Sequence, residues 1–297
     1  MSMESTLAPA PTVDGAAGGY RPTATLSFRT ELRRQASRRR TQLSLGFMVL
    51  LPLVILLAFE FGGTGDGGGG DRGQFAALAD IGRSSGLNFA LFTLLVSASF
   101  LLVVVVALFC GDTVASEANW GSLRYLLAVP VPRGRLLGSK LLVALFYSLV
   151  SLLLLTGVAL LAGTLRYGWH PLRTTVAGDV APGSAVLRLL GIVAYLAVTL
   201  LIVAGLAFLL SVSTDAPLGA VGGAVLLQIL SGILDQITAL GSIRVILPTH
   251  YGDAWLGLIS NPIQTEDMVK GAIAALVYAA GFFGLAWWHF LRKDVVS

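Results

Sequence analysis

The sequence carries little charge for its length. Only 12% of its 297 residues are charged, whereas 55% are hydrophobic, and the mean hydropathy is +0.81. A soluble globular protein of this size covers its core with roughly 25% charged residues. The shortage of charge therefore excludes a soluble domain and predicts an integral membrane protein whose outer surface faces lipid.

Cysteine and histidine are also scarce. The single cysteine, Cys110, cannot form an internal disulfide. The three histidines His170, His250 and His289 are far apart and lack the spacing of metal ligands. We therefore expect no structural metal in this chain.

Motifs of enzymes and ion-driven carriers are missing from the apolar parts of the sequence. There is no HExxH motif and no phosphate-binding loop, since the nearest run, 134–140, has the wrong spacing and order. Ion-driven carriers need ionisable groups inside the bilayer, but Glu60 and Asp235 fall at the ends of apolar runs. If this protein performs work, another chain must supply the energy.

The basic residues are placed as in membrane proteins rather than nucleic-acid binders. The net charge is +4 and the pI is about 9.5. Lys and Arg lie at the ends of apolar runs instead of alternating with aromatic residues in one patch. We expect membrane lipids as partners and no nucleic acid.

Six apolar runs are long enough to cross a bilayer, which takes about 20 residues of helix. A seventh candidate, 243–259, contains Pro248 and Asp253 and is not expected to span. The sequence thus predicts an all-α polytopic membrane protein with six transmembrane helices. The predicted spans are 43–61, 87–110, 141–165, 186–212, 217–234 and 271–291.

Loop charges predict the orientation. With the N-terminus inside, 13 Lys and Arg lie on the inner side and 7 on the outer side, which favours cytosolic termini. Residues 1–27 are rich in Ala, Pro, Gly and Thr and are expected to form a disordered cytosolic tail before a membrane domain over 28–297. Residues 28–42 predict an amphipathic helix along the inner surface, or alternatively a basic anchor that only fixes topology.

The longest predicted inner loop, 112–140, has a pattern of its own. Leu123, Leu126, Leu127 and Pro130 recur at helical spacing, and the charged residues Glu117 and Arg124 lie on either side of this apolar stripe. This predicts a short amphipathic helix that Pro130 ends. Such an element can lie at the membrane surface and contact a soluble partner.

This loop resembles the corresponding loop in permease subunits of type 2 ATP-binding-cassette (ABC) transporters, the class that includes antibiotic and polysaccharide exporters. The family has a Glu, then Gly-Ser/Thr-Leu-Arg, Leu-Leu, a Pro, one or two Arg, and a Lys that opens the third span. A segment from Leu247 to Trp255 falls where the family has short re-entrant helices in the outer leaflet. The matching loop residues are Glu117, Gly121, Ser122, Leu123, Arg124, Leu126, Leu127, Pro130, Arg133, Arg135 and Lys140.

The resemblance implies a multi-pass permease in a bacterial plasma membrane that pairs with a separate ATPase subunit. It implies that the partner binds ATP and Mg²⁺ and that two permease copies enclose the path. The implied coupling residues are Glu117, Gly121, Leu123, Arg124, Pro130, Arg133 and Lys140, although Arg133, Arg135 and Lys140 could instead be positive-inside anchors.

Residues on the second and fifth spans suggest the kind of cargo. Phe92, Phe100 and Gln228 are candidate path residues and suit an amphipathic, drug-like or lipid-like molecule, although phenylalanine in a membrane helix commonly serves packing. Two other hypotheses stay open: a membrane scaffold or assembly subunit without a path, and an intramembrane enzyme. The sequence does not distinguish a homodimer from a heterodimer of permeases.

Overall fold

The chain is almost entirely helical. The computed structural model describes residues 28–61, 72–119, 133–174 and 178–292, and in these it contains nine α-helices, one two-stranded hairpin and two short 3-10 helices. The α-helices are α1 (Phe28–Ala36), α2 (Arg39–Phe61), α3 (Arg72–Gly82), α4 (Gly86–Ala98), α5 (Leu101–Asn119), α6 (Arg133–Tyr167), α7 (Pro182–Ser213), α8 (Pro217–Gln236) and α9 (Glu266–Arg292).

Six of these helices, α2 and α5 to α9, are long and apolar enough to cross a membrane. This confirms the predicted all-α, multi-pass membrane protein. Pro182 and Pro217 stand in the first turns of α7 and α8, where the missing amide proton costs nothing. The region 243–259 forms no such helix, as expected from its sequence.

The bundle has a buried centre and an apolar periphery. Helices α5 and α7 are mostly buried and pack against each other, with α6 and α8 beside α5 and α9 beside α7. Helices α2, α8 and α9 leave most of their apolar side chains exposed or half-buried. Because lipid tails are as apolar as these side chains, such faces are stable only in a bilayer or against another membrane helix.

The predicted second span was wrong in its middle and at its C-terminal end, whereas its start lies one residue from the observed one. Instead of one helix over 87–110, the structure has α4 and α5 with a break at Ser99 and Phe100. No proline marks this break, and serine is only a moderately poor helix former, so hydropathy alone does not reveal it. The exposed Phe100 side chain lies at the break.

The predicted inner loop 112–140 was also wrong over its two ends. Helix α5 continues through residues 112–119, and α6 begins at Arg133 rather than at 141. At a rise of about 1.5 Å per residue, the 35 residues of α6 extend about 52 Å, which exceeds the roughly 30 Å of hydrocarbon. Helix α6 therefore projects beyond the apolar layer. The end of α5 and the beginning of α6 flank the segment 120–132, which lies outside the described residues, and we call them its two stems.

The N-terminal surface helix is shorter than predicted. It ends at Ala36 rather than 42, and α2 begins at Arg39 after a turn at Ser37 and Arg38. The Ser37 hydroxyl donates to the Arg34 carbonyl at 2.8 Å, which is a local bond that competes with helix continuation. The predicted tail, 1–27, lies outside the described residues.

The start of α6 and the end of α9 lie at the same end of the bundle as α1. The Trp287 ring lies against Gly134 and Gly138, where a Cβ on Gly134 would come within 3.1 Å of the ring. The neighbouring Trp288 stacks under the Arg292 guanidinium at 4.6 Å. The described beginning and end of the chain thus lie at one end of the bundle, which we call the basic end.

The opposite end carries the irregular elements. Strands β1 (Leu172–Thr174) and β2 (Gly178–Val180) pair antiparallel, and the 3-10 helices are Thr238–Ile246 and Ala254–Leu258. The expected short helices between the fifth and sixth spans are present, but they flank residues 247–253 instead of occupying them. The Tyr195 hydroxyl of α7 donates to the Tyr251 carbonyl at 2.6 Å and holds this linker in place.

Candidate functional site

A buried ion-pair cluster joins three helices at the basic end. The Lys140 ammonium of α6 lies 2.5 Å from Glu117 Oε1 of α5 and 3.5 Å from Glu31 Oε1 of α1. The exposed fractions of these side chains are 5%, 2% and 10%. Water screens the charges of such buried side chains only weakly, so these ion pairs interact strongly. The cluster therefore fixes the relative positions of the two stems and α1.

Three arginines extend the cluster toward solvent. Arg34 Nη1 lies 3.6 Å from both Glu31 Oε2 and Glu117 Oε1. One and a half turns earlier on α5, Asp112 Oδ1 lies 2.5 Å from Arg40 Nη1, and Asp112 Oδ2 lies 3.9 Å from Arg38 Nη1. The acids of α5 are thus paired with bases from the N-terminal segment and from α6.

Helix α1 is held on α6 by contacts beside the cluster. The Tyr147 hydroxyl donates to the Leu32 carbonyl at 2.9 Å, and the Phe28 ring packs edge-on against Phe146 at 6.4 Å. An isolated helix of nine residues is not stable in water. The position of α1 therefore depends on these contacts and on Glu31.

The α5 stem is also connected to the centre of the bundle. The Ser211 hydroxyl of α7 accepts hydrogen bonds from the amides of Val114 and Ala115, each at 3.0 Å. Gly111 lets α8 approach closely, since a Cβ on Gly111 would lie 2.9 Å from Val221 Cγ2. The end of α5 is therefore in direct contact with both α7 and α8.

The structure brings together two of the predicted coupling residues, Glu117 and Lys140. Glu117 lies on α5 and is buried, and in this conformation it forms ion pairs with Lys140 and Arg34. Arg133 begins α6, and its side chain is not among those described. Four predicted residues lie outside the described part of the chain: Gly121, Leu123, Arg124 and Pro130.

Several members of the cluster were not predicted from the sequence. Glu31, Asp112 and Arg40 contribute ion pairs, and Tyr147 positions α1. A signal existed for Glu31, because it is the one acid within the arginine-rich stretch 28–42. Its partner on α6 could not be found from the sequence, since the two residues are 109 positions apart.

The predicted path residues do not meet in one place. Phe92 is buried and packs on Phe59 with ring centres 5.0 Å apart, whereas Phe100 is exposed. Gln228 lines a partly polar cavity of about 250 Å³ between α7, α8 and the linker 248–253. In that cavity His250 Nδ1 lies 2.6 Å from Asp235 Oδ1.

Asp235 is paired rather than isolated at its span end. Besides His250, it has Arg244 as a partner, with Arg244 Nε 3.6 Å from Asp235 Oδ1. The other predicted span-end acid, Glu60, lies 2.6 Å from Arg166 Nη2. Within the described residues, no group of three or more His, Cys, Asp or Glu is arranged to hold a metal ion.

Comparison with known protein families gives a match over most of the chain. A comparison with curated proteins finds no match. Residues 54–296, which include the last third of α2 and the membrane-crossing helices α5 to α9, match a family described as "Protein of unknown function (DUF2705)". The chain is therefore a multi-pass membrane protein that belongs to the DUF2705 family.

Proposed function

We propose that this protein is the membrane-spanning permease subunit of an ABC exporter. It moves an amphipathic, drug-like or lipid-like molecule out of the cell, with ATP hydrolysed by a separate ATPase subunit that binds the ATP and Mg²⁺. The chain itself supplies no catalytic residue. It lies in a bacterial plasma membrane with its basic end and both termini in the cytosol, which accords with the excess of Lys and Arg there.

One observation carries this proposal: the buried Glu117–Lys140 pair locks the two stems of the segment 120–132, the segment that resembles the ATPase-binding loop of type 2 permeases. A partner that pushes on this segment would move α5 and α6 together instead of bending one of them. Since α5 contacts α7 through Ser211 and α8 through Gly111, the push would reach the centre of the bundle.

A second permease copy completes the path. Helices α2, α8 and α9 leave apolar faces that another membrane helix can cover. The polar cavity at Gln228 lies against α8 and is the described feature best placed to be completed by such a copy. Two copies would give twelve membrane-crossing helices around the path.

The coupling function can be tested with Glu117→Gln. The chain is purified with its ATPase, taken from the neighbouring genes, and reconstituted in vesicles. The variant should still recover the ATPase, but its cargo-stimulated ATP hydrolysis should fall about tenfold, which corresponds to roughly 1.4 kcal/mol in the barrier, because the stems no longer move as a unit.

Glu266→Gln is the matched control for this test. It removes a carboxylate from an exposed ion pair with Lys270 at the start of α9, far from the stems, and should leave hydrolysis unchanged. Equal rates for Glu117→Gln and the unmodified protein would refute the coupling role. Recovery of an ATPase whose activity moves no cargo would favour a scaffold subunit.

A further inference from the structure

An apolar cavity of about 310 Å³ lies at the end of the bundle opposite the charged cluster. Its walls are the end of α3, one face of α4, strand β1 and the second 3-10 helix. It is separate from the cavity that Gln228 lines. Its lining residues include Asn88, Leu91, Phe92, Leu95, Arg173, Trp255 and Leu256.

The cavity is polar at one end and apolar along its length. Asn88, Leu91 and Leu95 are spaced as neighbours on one helix face, so this wall runs about 10 Å along α4. Asn88 and Arg173 mark its beginning, and Leu95 lies furthest along. This arrangement matches a molecule with a polar head and one apolar chain.

The wall contains a buried donor that lacks an acceptor. Trp255 is 1% exposed, and its indole Nε1 makes no hydrogen bond to any residue that the structure describes. The indole N–H can only donate, and a buried donor of this kind normally has a partner. An oxygen acceptor on a bound molecule would satisfy it.

Arg173 is a basic residue among those that line the cavity at its polar end. Its backbone is fixed by Asn88, whose Nδ2 donates to the Arg173 carbonyl at 2.6 Å and whose Oδ1 accepts from the Arg173 amide at 3.0 Å. The side chain is exposed, and its Nε lies 4.0 Å from Asp179 Oδ1. The ion pair between Arg173 and Asp179 is weak because it is long and exposed to water. The guanidinium can therefore bind an anionic head.

We propose that this cavity binds an amphiphile with a single alkyl chain and an anionic oxygen head, such as a medium-chain fatty acid. The chain lies along α4, and the head supplies the acceptor for Trp255 and the negative charge for Arg173. The volume is at the lower end of the range for small-molecule sites, which suits one chain rather than the two of a bilayer phospholipid. The inference does not rest on the transport function.

Binding of radiolabelled dodecanoate to the full chain in nanodiscs tests this. Saturable binding is expected above the linear uptake of empty nanodiscs. Leu256→Trp fills the cavity from its wall and should weaken binding at least about tenfold. Leu226→Trp, on the exposed face of α8 and away from the cavity, should bind as the unmodified protein does.

Two further measurements test the head group. Arg173→Gln should weaken binding of dodecanoate several-fold and leave binding of dodecanol unaffected, and Trp255→Phe should weaken binding of both.

Uptake that stays linear, or equal affinities of Leu256→Trp and Leu226→Trp, would overturn the site. Equal affinities of the unmodified protein for dodecanoate and dodecanol would overturn the anionic head. No ATPase takes part, so these outcomes are independent of the coupling test.

Discussion

Replacing Lys140 with methionine should lower the free energy of unfolding by about 3–5 kcal/mol, because Glu117 and Glu31 then stay buried together without their shared cation. Arg34, at 3.6 Å from both carboxylates, compensates in part and places the expected value near the lower limit. Reversible unfolding in mixed detergent micelles measures this quantity.

The chain offers a matched control in Lys270. Lys270 lies 2.7 Å from Glu266, nearly the distance of the buried pair, but the two side chains are 51% and 84% exposed. Lys270→Met should therefore cost less than about 1 kcal/mol. If both lysine variants lose equal stability, burial does not give the Lys140 cluster its strength.

A double variant separates the pair from other effects of the Lys140 substitution. Adding Glu117→Gln to Lys140→Met removes one of the stranded carboxylates and should restore part of the lost stability, with an interaction energy of about 0.5–3 kcal/mol. Strictly additive losses would mean that Glu117 and Lys140 do not interact in the membrane-embedded protein.

Replacing Gly163 with alanine should destabilise the crossing of α4 and α6 by about 1–3 kcal/mol. A Cβ at this position would lie 2.8 Å from Phe89 Cβ and 3.1 Å from the Gly86 Cα, so the helices would have to separate. Close approach through small residues is a main source of helix association in membranes, where apolar burial gives no driving force. The same unfolding measurement applies.

Gly157 provides the comparison on the same helix. A Cβ on Gly157 has no atom within 4 Å outside its own helix backbone. Gly157→Ala should therefore be neutral or stabilise α6 by up to about 1 kcal/mol, because alanine is the better helix former. A Gly163→Ala variant as stable as Gly157→Ala would show that the two helices are not tightly packed there.

The number of spans could be predicted because lipid imposes a simple rule. Any run of about 20 apolar residues forms a helix that satisfies its own backbone hydrogen bonds in the bilayer. The helix ends could not be predicted in this way. Charge at Asp112, Glu117 and Lys140 ends the apolar runs, but a helix whose charges are paired can continue past them, as α5 and α6 do.

Only some residues of the candidate site could be predicted from the sequence. Resemblance to a known loop pointed to Glu117 and Lys140, and the structure places them in contact. It did not indicate Glu31 or Tyr147, because these depend on how α1 folds back onto α6, which no local pattern records. The break at Ser99 was missed because neither a proline nor a glycine marks it.

The central claim is that residues 120–132 contact a separate ATPase, and site-specific photo-crosslinking tests it most directly. A photoreactive residue at Leu123, in cells that express the chain with its neighbouring genes, should capture an ABC ATPase identified by mass spectrometry. The same residue at Trp169, exposed beyond the opposite end of α6, should not. Absence of an ATPase at Leu123, or equal capture at Trp169, would contradict the account.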